Sequence, residues 1–178
     1  TGGCIFCSAS GSGDFAESGN DINIQIEKAK ARVARNIKDG GYIAYFQSYT
    51  STHGSVEKMR RLFTEAIIHP DVKVLSIATR PDCLGEDVIA LLGELNRKKP
   101  IMVELGLQTV KDDVAKRIGR GHTYGEFLDG YTRLRARVPS CRIAIHIING
   151  LPTETKEDML ETVKAIASLS PDEVKIHL

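Results

Sequence analysis

The fold is decided by residues 72–107, VKVLSIATRPDCLGEDVIALLGELNRKKPIMVELGL, in which one helical pattern separates two short apolar runs. The runs Val72–Ala78 and Ile101–Leu107 are β-rich and bounded by Gly, Pro or Asp residues, which is typical of strands. The apolar residues between them share one helical face: Val88, Leu91, Leu92 and Leu95. Parallel neighbouring strands need such a crossover, so the stretch predicts a βαβ unit.

The same alternation extends in both directions along the chain. Further apolar runs predict strands at Tyr42–Gln47, Arg142–Ile148 and Val174–Leu178, again with helical patterns between them. The predicted helices follow capping residues: Asn20 or Asp21, Ser55, Thr109, Thr123 and Thr155. The last three have an acidic residue three positions on, Asp112, Glu126 and Asp158, which predicts capping boxes. Five strands alternating with helices predict an α/β protein with a parallel sheet, in which chemistry takes place at the carboxyl ends of the strands.

Polar residues inside the predicted strands favour a curled part-barrel over an open doubly wound sheet. Glu104, His146, Lys175 and His177 each interrupt an otherwise apolar run. A lone charge facing a dry core would cost several kcal/mol, whereas a concave, ligand-filled face would accommodate it. We therefore expect these side chains to line such a face.

Composition excludes several classes of protein and favours a globular cytoplasmic domain. The 178 residues carry 24 Lys and Arg against 23 Asp and Glu, so bulk charge gives no reason to expect a polyanion-binding protein. No apolar run approaches about 18 residues and no secretory signal is present, so we expect no membrane partner. Four cysteines in a chain of this size predict a reduced compartment and are candidates for metal binding.

The strongest local signal is a Cys-x-x-Cys turn formed by Cys4 and Cys7, which brings two thiolates within reach of one metal centre. A thioredoxin-type redox pair would normally open a helix directly, but here a loop intervenes. A zinc site needs two further ligands, and Cys83 and Cys141 lack the usual spacing. An iron–sulfur cluster also takes cysteine thiolates. The turn alone leaves these three interpretations open.

Three further segments, in their order and spacing after the cysteine pair, resemble the radical S-adenosylmethionine (SAM) enzymes. They are Val103–Thr109 (VELGLQT), Arg117–Thr123 (RIGRGHT) and Ile147–Thr155 (IINGLPTET). The resemblance is nearest to the branch that contains the Elongator catalytic subunit and the YhcC-like bacterial proteins. Four stretches resemble the YhcC-like proteins in particular: Gly2–Cys7, Tyr45–Thr50, Thr79–Leu84 and Lys175–Leu178.

The resemblance implies a partial TIM barrel of the (β/α)6 type, with residues 1–178 as a radical SAM core domain. It further implies that the chain is part of a longer protein. We expect the first strand and the first cluster cysteine to precede Thr1, and the last helix to follow Leu178.

The implied cofactors are a [4Fe–4S] cluster and SAM, whose reductive cleavage yields methionine and a 5′-deoxyadenosyl radical that abstracts hydrogen from a substrate. Cys4 and Cys7 match the second and third cluster ligands. The positions that match cofactor contacts are Phe6, Gln47, Ser48, Glu104, Gln108, Arg120, Ile148, Gly150 and Leu151. Because the chain supplies only two of the three cluster cysteines, we expect it to be inactive in this form.

The branch suggests an RNA substrate and tRNA modification, and the family implies a reductase or flavodoxin-type electron donor. Basic residues that could meet phosphates are Lys28, Lys30, Arg32, Arg35, Lys38, Arg133, Arg135 and Arg137. The alternative is that they form solvated surface, which is the commoner role of charge runs on helix faces. His122, Lys175 and His177 are candidates for catalysis or for contact with substrate. The alternative function is a non-catalytic α/β module whose Cys-x-x-Cys holds structural zinc or acts as a redox pair.

Overall fold

The computed structural model describes residues 3–7, 17, 21–34 and 40–178, and it places five parallel strands in one sheet. The strands are β1 (Tyr42–Phe46), β2 (Val72–Thr79), β3 (Ile101–Gln108), β4 (Arg142–Ile148) and β5 (Glu173–His177). Their order in the sheet is their order in the chain. In a doubly wound sheet the strand order reverses at a switch point. Here each connection leads to the next strand along the sheet, always in the same direction. The predicted partial TIM barrel is confirmed as a curled half-barrel.

Helices precede and connect the strands. They are α1 (Ile22–Val33), α2 (Val56–Ile68), α3 (Glu86–Asn96), α4 (Asp112–Arg117), α5 (Tyr124–Arg137) and α6 (Lys156–Leu169), with a short 3₁₀ turn at Pro81–Cys83. Asp21 and Ser55 cap α1 and α2, and Thr123 and Thr155 form the predicted capping boxes. Three of the capping and basic residues named above, Asn20, Arg35 and Lys38, lie outside the described part of the chain. No helix among the described residues combines the length and apolar character needed to cross a membrane.

The prediction that Thr109 caps α4 is wrong. Thr109 is fully buried, and its amide donates to the Leu107 carbonyl at 2.7 Å in a tight turn that ends β3. The helix therefore begins only at Asp112. The Asp112 carboxylate accepts a hydrogen bond from the Tyr124 amide at 2.7 Å, which ties the start of α4 to the start of α5.

The two faces of the sheet differ in character because side chains alternate along each strand. On β3, Val103 and Leu105 belong to the main hydrophobic core on the helix side. Glu104 and Gly106, between and beside them, face the concave side, which is open to ligands. The helix-facing core continues through neighbouring strands with Leu75, Ile77, Ile143, Ile145 and Ile147. The fold thus leaves the concave face free for a site.

Helix α5 packs closely against the 3₁₀ turn that follows β2. A Cβ atom placed on Gly130 would lie 2.7 Å from the Pro81 carbonyl oxygen and 3.1 Å from the Pro81 Cβ. Since backbone atoms cannot step aside, only glycine permits this approach. The contact fixes the turn that begins immediately after Arg80.

We expect Gly130→Ala to lower the free energy of unfolding by about 1–3 kcal/mol, because the added methyl group overpacks this contact. Gly125→Ala is the matched control in the same helix. Its Cβ would meet only the Thr123 hydroxyl at 3.8 Å, so the better helix propensity of alanine should leave stability unchanged or raised. Urea unfolding measures both variants, and equal effects of the two substitutions would contradict the packing argument.

Candidate functional site

The carboxyl ends of the strands open into one cleft of about 790 Å³ on the concave face. Residues from both ends of the chain and from its middle share this space, as the predicted site requires. Most of the residues predicted to bind cofactor or substrate line it: Cys4, Phe6, Cys7, Gln47, Glu104, Gln108, Arg120, His122, Ile148 and His177.

The cysteine turn is docked on the loop that follows α4. The Ile5 amide donates to the Ile118 carbonyl at 3.0 Å, and the Cys4 thiol donates to the Gly119 carbonyl at 3.4 Å. Gly119 has φ +69°, and a Cβ there would lie 3.4 Å from the Gly3 carbonyl oxygen. The glycine thus allows both the left-handed turn and the close approach of the two loops.

Cys4 and Cys7 fit a site for a thiolate-bound metal centre. The Cys7 amide donates to the Cys4 carbonyl at 3.1 Å, which closes the turn and keeps the two side chains together. Both cysteines are free and line the cleft, whereas Cys83 and Cys141, also free, do not line it. The described residues supply two of the three thiolates expected for a SAM-binding cluster.

Gln108 is placed in the cleft by an irregular end of β3. The register between β3 and β4 shifts between Gly106 and Gln108, and Gln108 adopts φ +61°. A Cβ on Gly106 would lie 2.7 Å from the Gln108 Nε2 atom. The Gln108 amide therefore folds back over the glycine and across the open face of the sheet.

Arg120, also predicted to bind cofactor, is 1% exposed and uses most of its donors within the protein. Its Nη1 donates to the carbonyls of Leu107 and Thr109, and its Nε donates to the His122 carbonyl at 2.8 Å. Its Nη2 donates to the Asp112 carboxylate at 3.2 Å. These contacts join the end of β3 to the loop after α4.

Arg80 lines the same cleft and was missed by the sequence analysis. It follows β2 directly, and its Nε and Nη2 donate to the Asp82 carboxylate at 2.9 and 2.6 Å. Its Nη2 also donates to the Gly121 carbonyl at 2.9 Å. A cationic residue at the carboxyl end of a predicted strand was the signal that could have identified it.

Glu104 is the centre of a polar network on the concave face and is 2% exposed. Its carboxylate accepts hydrogen bonds from Ser76, from Lys175 at 2.6 Å, from His146 at 2.7 Å and from Tyr45 at 2.9 Å. Burial alone would raise the pKa of Glu104, but these hydrogen bonds outweigh burial and lower the pKa to about 2. The carboxylate is therefore ionised throughout the physiological range.

The ionised Glu104 affects its neighbours on three strands. Burial, followed by the negative charge of Glu104, raises the pKa of the Tyr45 hydroxyl. His146 lies between Glu104 and His177, whose Nε2 is 3.3 Å from the His146 Nδ1. Burial and then the His146 ring lower the pKa of His177. Lys175 joins this network although it is not among the residues that line the cleft.

His122 lines the cleft as a neutral ring. It is 7% exposed, and neither ring nitrogen makes a hydrogen bond to the described part of the chain. Burial, and then the positive charge of Arg120, lower its pKa to about 4, so the imidazole is uncharged near pH 7. The Gly106 backbone acts in the opposite direction and raises the pKa of His122, although it makes no hydrogen bond to either ring nitrogen.

Three residues predicted to contact cofactor are not among those that line the cleft. Ser48 borders a separate depression beside α1 and β1. Leu151 is buried in a small second core with Val114 and Ile118. The Gly150 amide points to the Met159 sulfur at 3.3 Å. Packing thus holds Leu151 and a turn contact holds Gly150, whereas Ser48 borders the other depression although Gln47 beside it lines the cleft.

The basic residues predicted to meet phosphates are mostly engaged with carboxylates. The ion pairs are Lys30 with Glu27 and Asp71, Arg32 with Glu17, Arg133 with Asp129, Arg135 with Asp172, and Arg137 with Glu86. Such pairs neutralise the positive charge that would attract a phosphate. The described part of the chain gives no further support to these residues as an RNA surface.

Comparison with known proteins finds relatives that match almost the whole chain. YtqA of Bacillus subtilis is 48% identical over 178 residues, which cover 99% of this chain and 55% of YtqA. YhcC of Escherichia coli is 33% identical over 177 residues, which cover 99% of this chain and 56% of YhcC. The chain thus spans about half the length of these relatives. A tRNA-2-methylthio-N(6)-dimethylallyladenosine synthase of Fusobacterium nucleatum is 24% identical over 160 residues, or 86% of this chain and 37% of the synthase.

The fold is shared with a solved structure of Elp3 from the archaeon Methanocaldococcus infernus. The two superpose with a TM-score of 0.73 at 19% identity, over 88% of this chain and 41% of the Elp3 chain. The family model described as the Radical SAM superfamily matches residues 1–166, which is most of the chain. The chain therefore belongs to the radical SAM superfamily.

Proposed function

We propose that this chain is the catalytic core of a radical SAM enzyme, in which Cys4 and Cys7 hold two irons of a [4Fe–4S] cluster beside bound SAM. The observation that carries the proposal is the docking of the cysteine turn on Ile118 and Gly119. This docking brings both thiols to the cleft that Gln108 also lines.

The proposal includes the organisation of the longer protein. Residues 1–178 form the core domain, the first strand and the first cluster cysteine precede Thr1, and the last helix follows Leu178. The coverage of only about half of YtqA and YhcC supports the presence of further chain. Without that first cysteine, residues 1–178 alone are inactive.

Such a cluster supplies the electron that splits the SAM sulfonium into methionine and a 5′-deoxyadenosyl radical. The chain's own residues bind and orient the ligand. Gln108 presents an amide with both donor and acceptor capacity across the open sheet. Phe6 contributes an aromatic face beside the cysteines. Lys175 balances the charge of Glu104, so this wall of the cleft does not repel an anionic group of the ligand.

We further propose an RNA substrate, a reductase or flavodoxin-type electron donor and a cytoplasmic location. The likeness to the tRNA-modifying synthase supports the RNA substrate, and the ion-paired basic residues add nothing to that support. The requirement for one electron per SAM cleaved supports the donor. The four free cysteines suit a reducing compartment.

The test is anaerobic reconstitution of the full-length protein with iron and sulfide, followed by reduction with dithionite in the presence of SAM. We expect brown iron–sulfur absorbance and formation of both methionine and 5′-deoxyadenosine. Bound zinc without SAM cleavage would support the alternative, a non-catalytic module with a structural metal. RNA binding is measured separately, by titration of the reconstituted protein with transfer RNA, and absence of binding even at low salt would reject that part of the proposal.

A further inference from the structure

Two arginines lie near the cysteine turn, and the structure gives them different roles. Arg120 commits four hydrogen bonds to protein acceptors: the carbonyls of Leu107, Thr109 and His122, and the carboxylate of Asp112. A guanidinium has five N–H donors in all. Arg120 is 1% exposed and uses four of these five donors within the protein. It therefore has little hydrogen-bonding capacity left for a ligand.

The contacts of Arg120 hold the site together. They connect the end of β3, which carries Gln108, to the loop after α4. The cysteine turn is docked on that same loop through Ile118 and Gly119. Arg120 therefore sets the distance between the cysteine turn and the end of β3.

Arg80 has the opposite arrangement. Asp82 and the Gly121 carbonyl hold its Nε and Nη2, which fixes the plane of the guanidinium. Its Nη1 makes no hydrogen bond within the described part of the chain, and 36% of the side chain is exposed. Arg80 lines the same cleft as Cys4 and Cys7. Arg80 thus presents a charged, oriented nitrogen beside the cysteines.

Gly121 leaves room for the guanidinium group of Arg80. A Cβ on Gly121 would lie 2.8 Å from the Arg80 Nη1 and 3.0 Å from its Nη2. Gly121 also has φ +83°, which disfavours any other residue. On the other side, Gly130 holds the turn after Arg80 through its contact with Pro81. The local structure on both sides suits a fixed cation rather than a mobile surface arginine.

We infer that Arg80 is the residue that binds the carboxylate of the ligand in this cleft, and that Arg120 is a positioning residue that holds the cysteine turn to β3. The inference rests on the proposed function, since SAM is the ligand that carries the carboxylate. A charged donor fixed in orientation binds a carboxylate more strongly than a neutral donor. The arginine that the family resemblance matched, Arg120, then acts through the loop and not on the ligand.

The test compares SAM with decarboxylated SAM, which keeps the sulfonium and the amino group, in the reconstituted full-length protein. The dissociation constant of decarboxylated SAM divided by that of SAM reports how much the carboxylate contributes to the binding affinity. We expect this ratio to be about 10- to 100-fold larger in the wild type than in Arg80→Gln. Other contacts of the carboxylate are common to both proteins and cancel in the comparison. Arg80→Lys keeps the charge and should restore part of the ratio.

Arg120→Lys is the contrasting variant. We expect it to lower the melting temperature and to weaken both ligands alike, so that the ratio stays at the wild-type value. It should also broaden the electron paramagnetic resonance spectrum of the reduced cluster, because the cysteine turn is no longer held at one distance from β3. Loss of stability alone would leave that spectrum unchanged.

Two results would overturn the inference. One is an unchanged ratio in Arg80→Gln, which would show that Arg80 does not contact the carboxylate, and the other is a ratio lost in Arg120→Lys, which would show that Arg120 contacts it directly. Either result leaves the proposed function intact, because the wild type still binds SAM. A wild type that binds neither compound rejects the proposed function itself.

Discussion

We expect Cys7→Ser to remove the proposed iron–sulfur cluster and to reduce SAM cleavage to background in the reconstituted full-length protein. A serine hydroxyl keeps roughly the size of the thiol but is a poor ligand for iron, so the two remaining cysteines cannot hold the cluster. Cys7 is exposed, and the hydrogen bond that closes its turn uses the backbone amide. The fold should therefore survive the substitution, as circular dichroism and a thermal melt would show.

Cys83→Ser is the matched control for this prediction. Cys83 is likewise a free cysteine; it is partly buried near the end of β2 and is not among the residues that line the cleft. We expect this variant to keep its iron content and its SAM cleavage. Iron bound normally by Cys7→Ser, or lost in Cys83→Ser, would show that the cluster does not lie where the cysteine turn is docked.

We expect Glu104→Gln to destabilise the protein by about 3 kcal/mol near neutral pH, because breaking one side of a buried charged network leaves the other groups without a partner. The substitution removes the negative charge that pairs with Lys175. It also replaces one of the two acceptor oxygens to which four side chains donate. Urea unfolding of the two proteins measures the difference. The control is Glu94, whose side chain is 42% exposed and paired with Arg60 on the surface, and Glu94→Gln should change stability little.

The effect of Glu104 has a defined dependence on pH. Its native pKa of about 2 is below the ordinary value of 4.5, so the native state favours the ionised form. The stabilisation is therefore complete above about pH 4.5 and is lost as the pH falls towards 2. We expect the wild type and Glu104→Gln to converge in stability across this range. A difference that stays constant over the same range would contradict the role assigned to the carboxylate.

The elements of the fold could be predicted because their signals are local. Short apolar runs located all five strands, and the pairs Thr123 with Glu126 and Thr155 with Asp158 located two helix starts. A charge inside an apolar strand has few acceptable environments, which is why Glu104 was correctly expected on a concave face. The start of α4 could not be predicted, because the tight turn that ends β3 takes up the expected capping residue.

The roles of polar residues in the site were harder to predict than their location. Arg120 and Arg80 are the same residue type, and sequence spacing favoured Arg120. Only tertiary structure shows that carbonyls from the end of β3 surround Arg120, while Arg80 keeps one nitrogen without a partner among the described residues. Likewise, Gly150 and Leu151 closely follow Ile148, which lines the cleft. In the turn after β4, however, Gly150 contacts Met159 of α6 and Leu151 packs in the second core.

The central claim is that the cysteine turn and the ends of the strands form one cleft that holds the cluster next to SAM. Electron paramagnetic resonance of the reduced, reconstituted full-length protein tests it most directly, with and without added SAM. We predict that SAM changes the spectrum of the reduced cluster, because the ligand contacts an iron of that cluster. A cluster spectrum that saturating SAM leaves unaltered would contradict the claim.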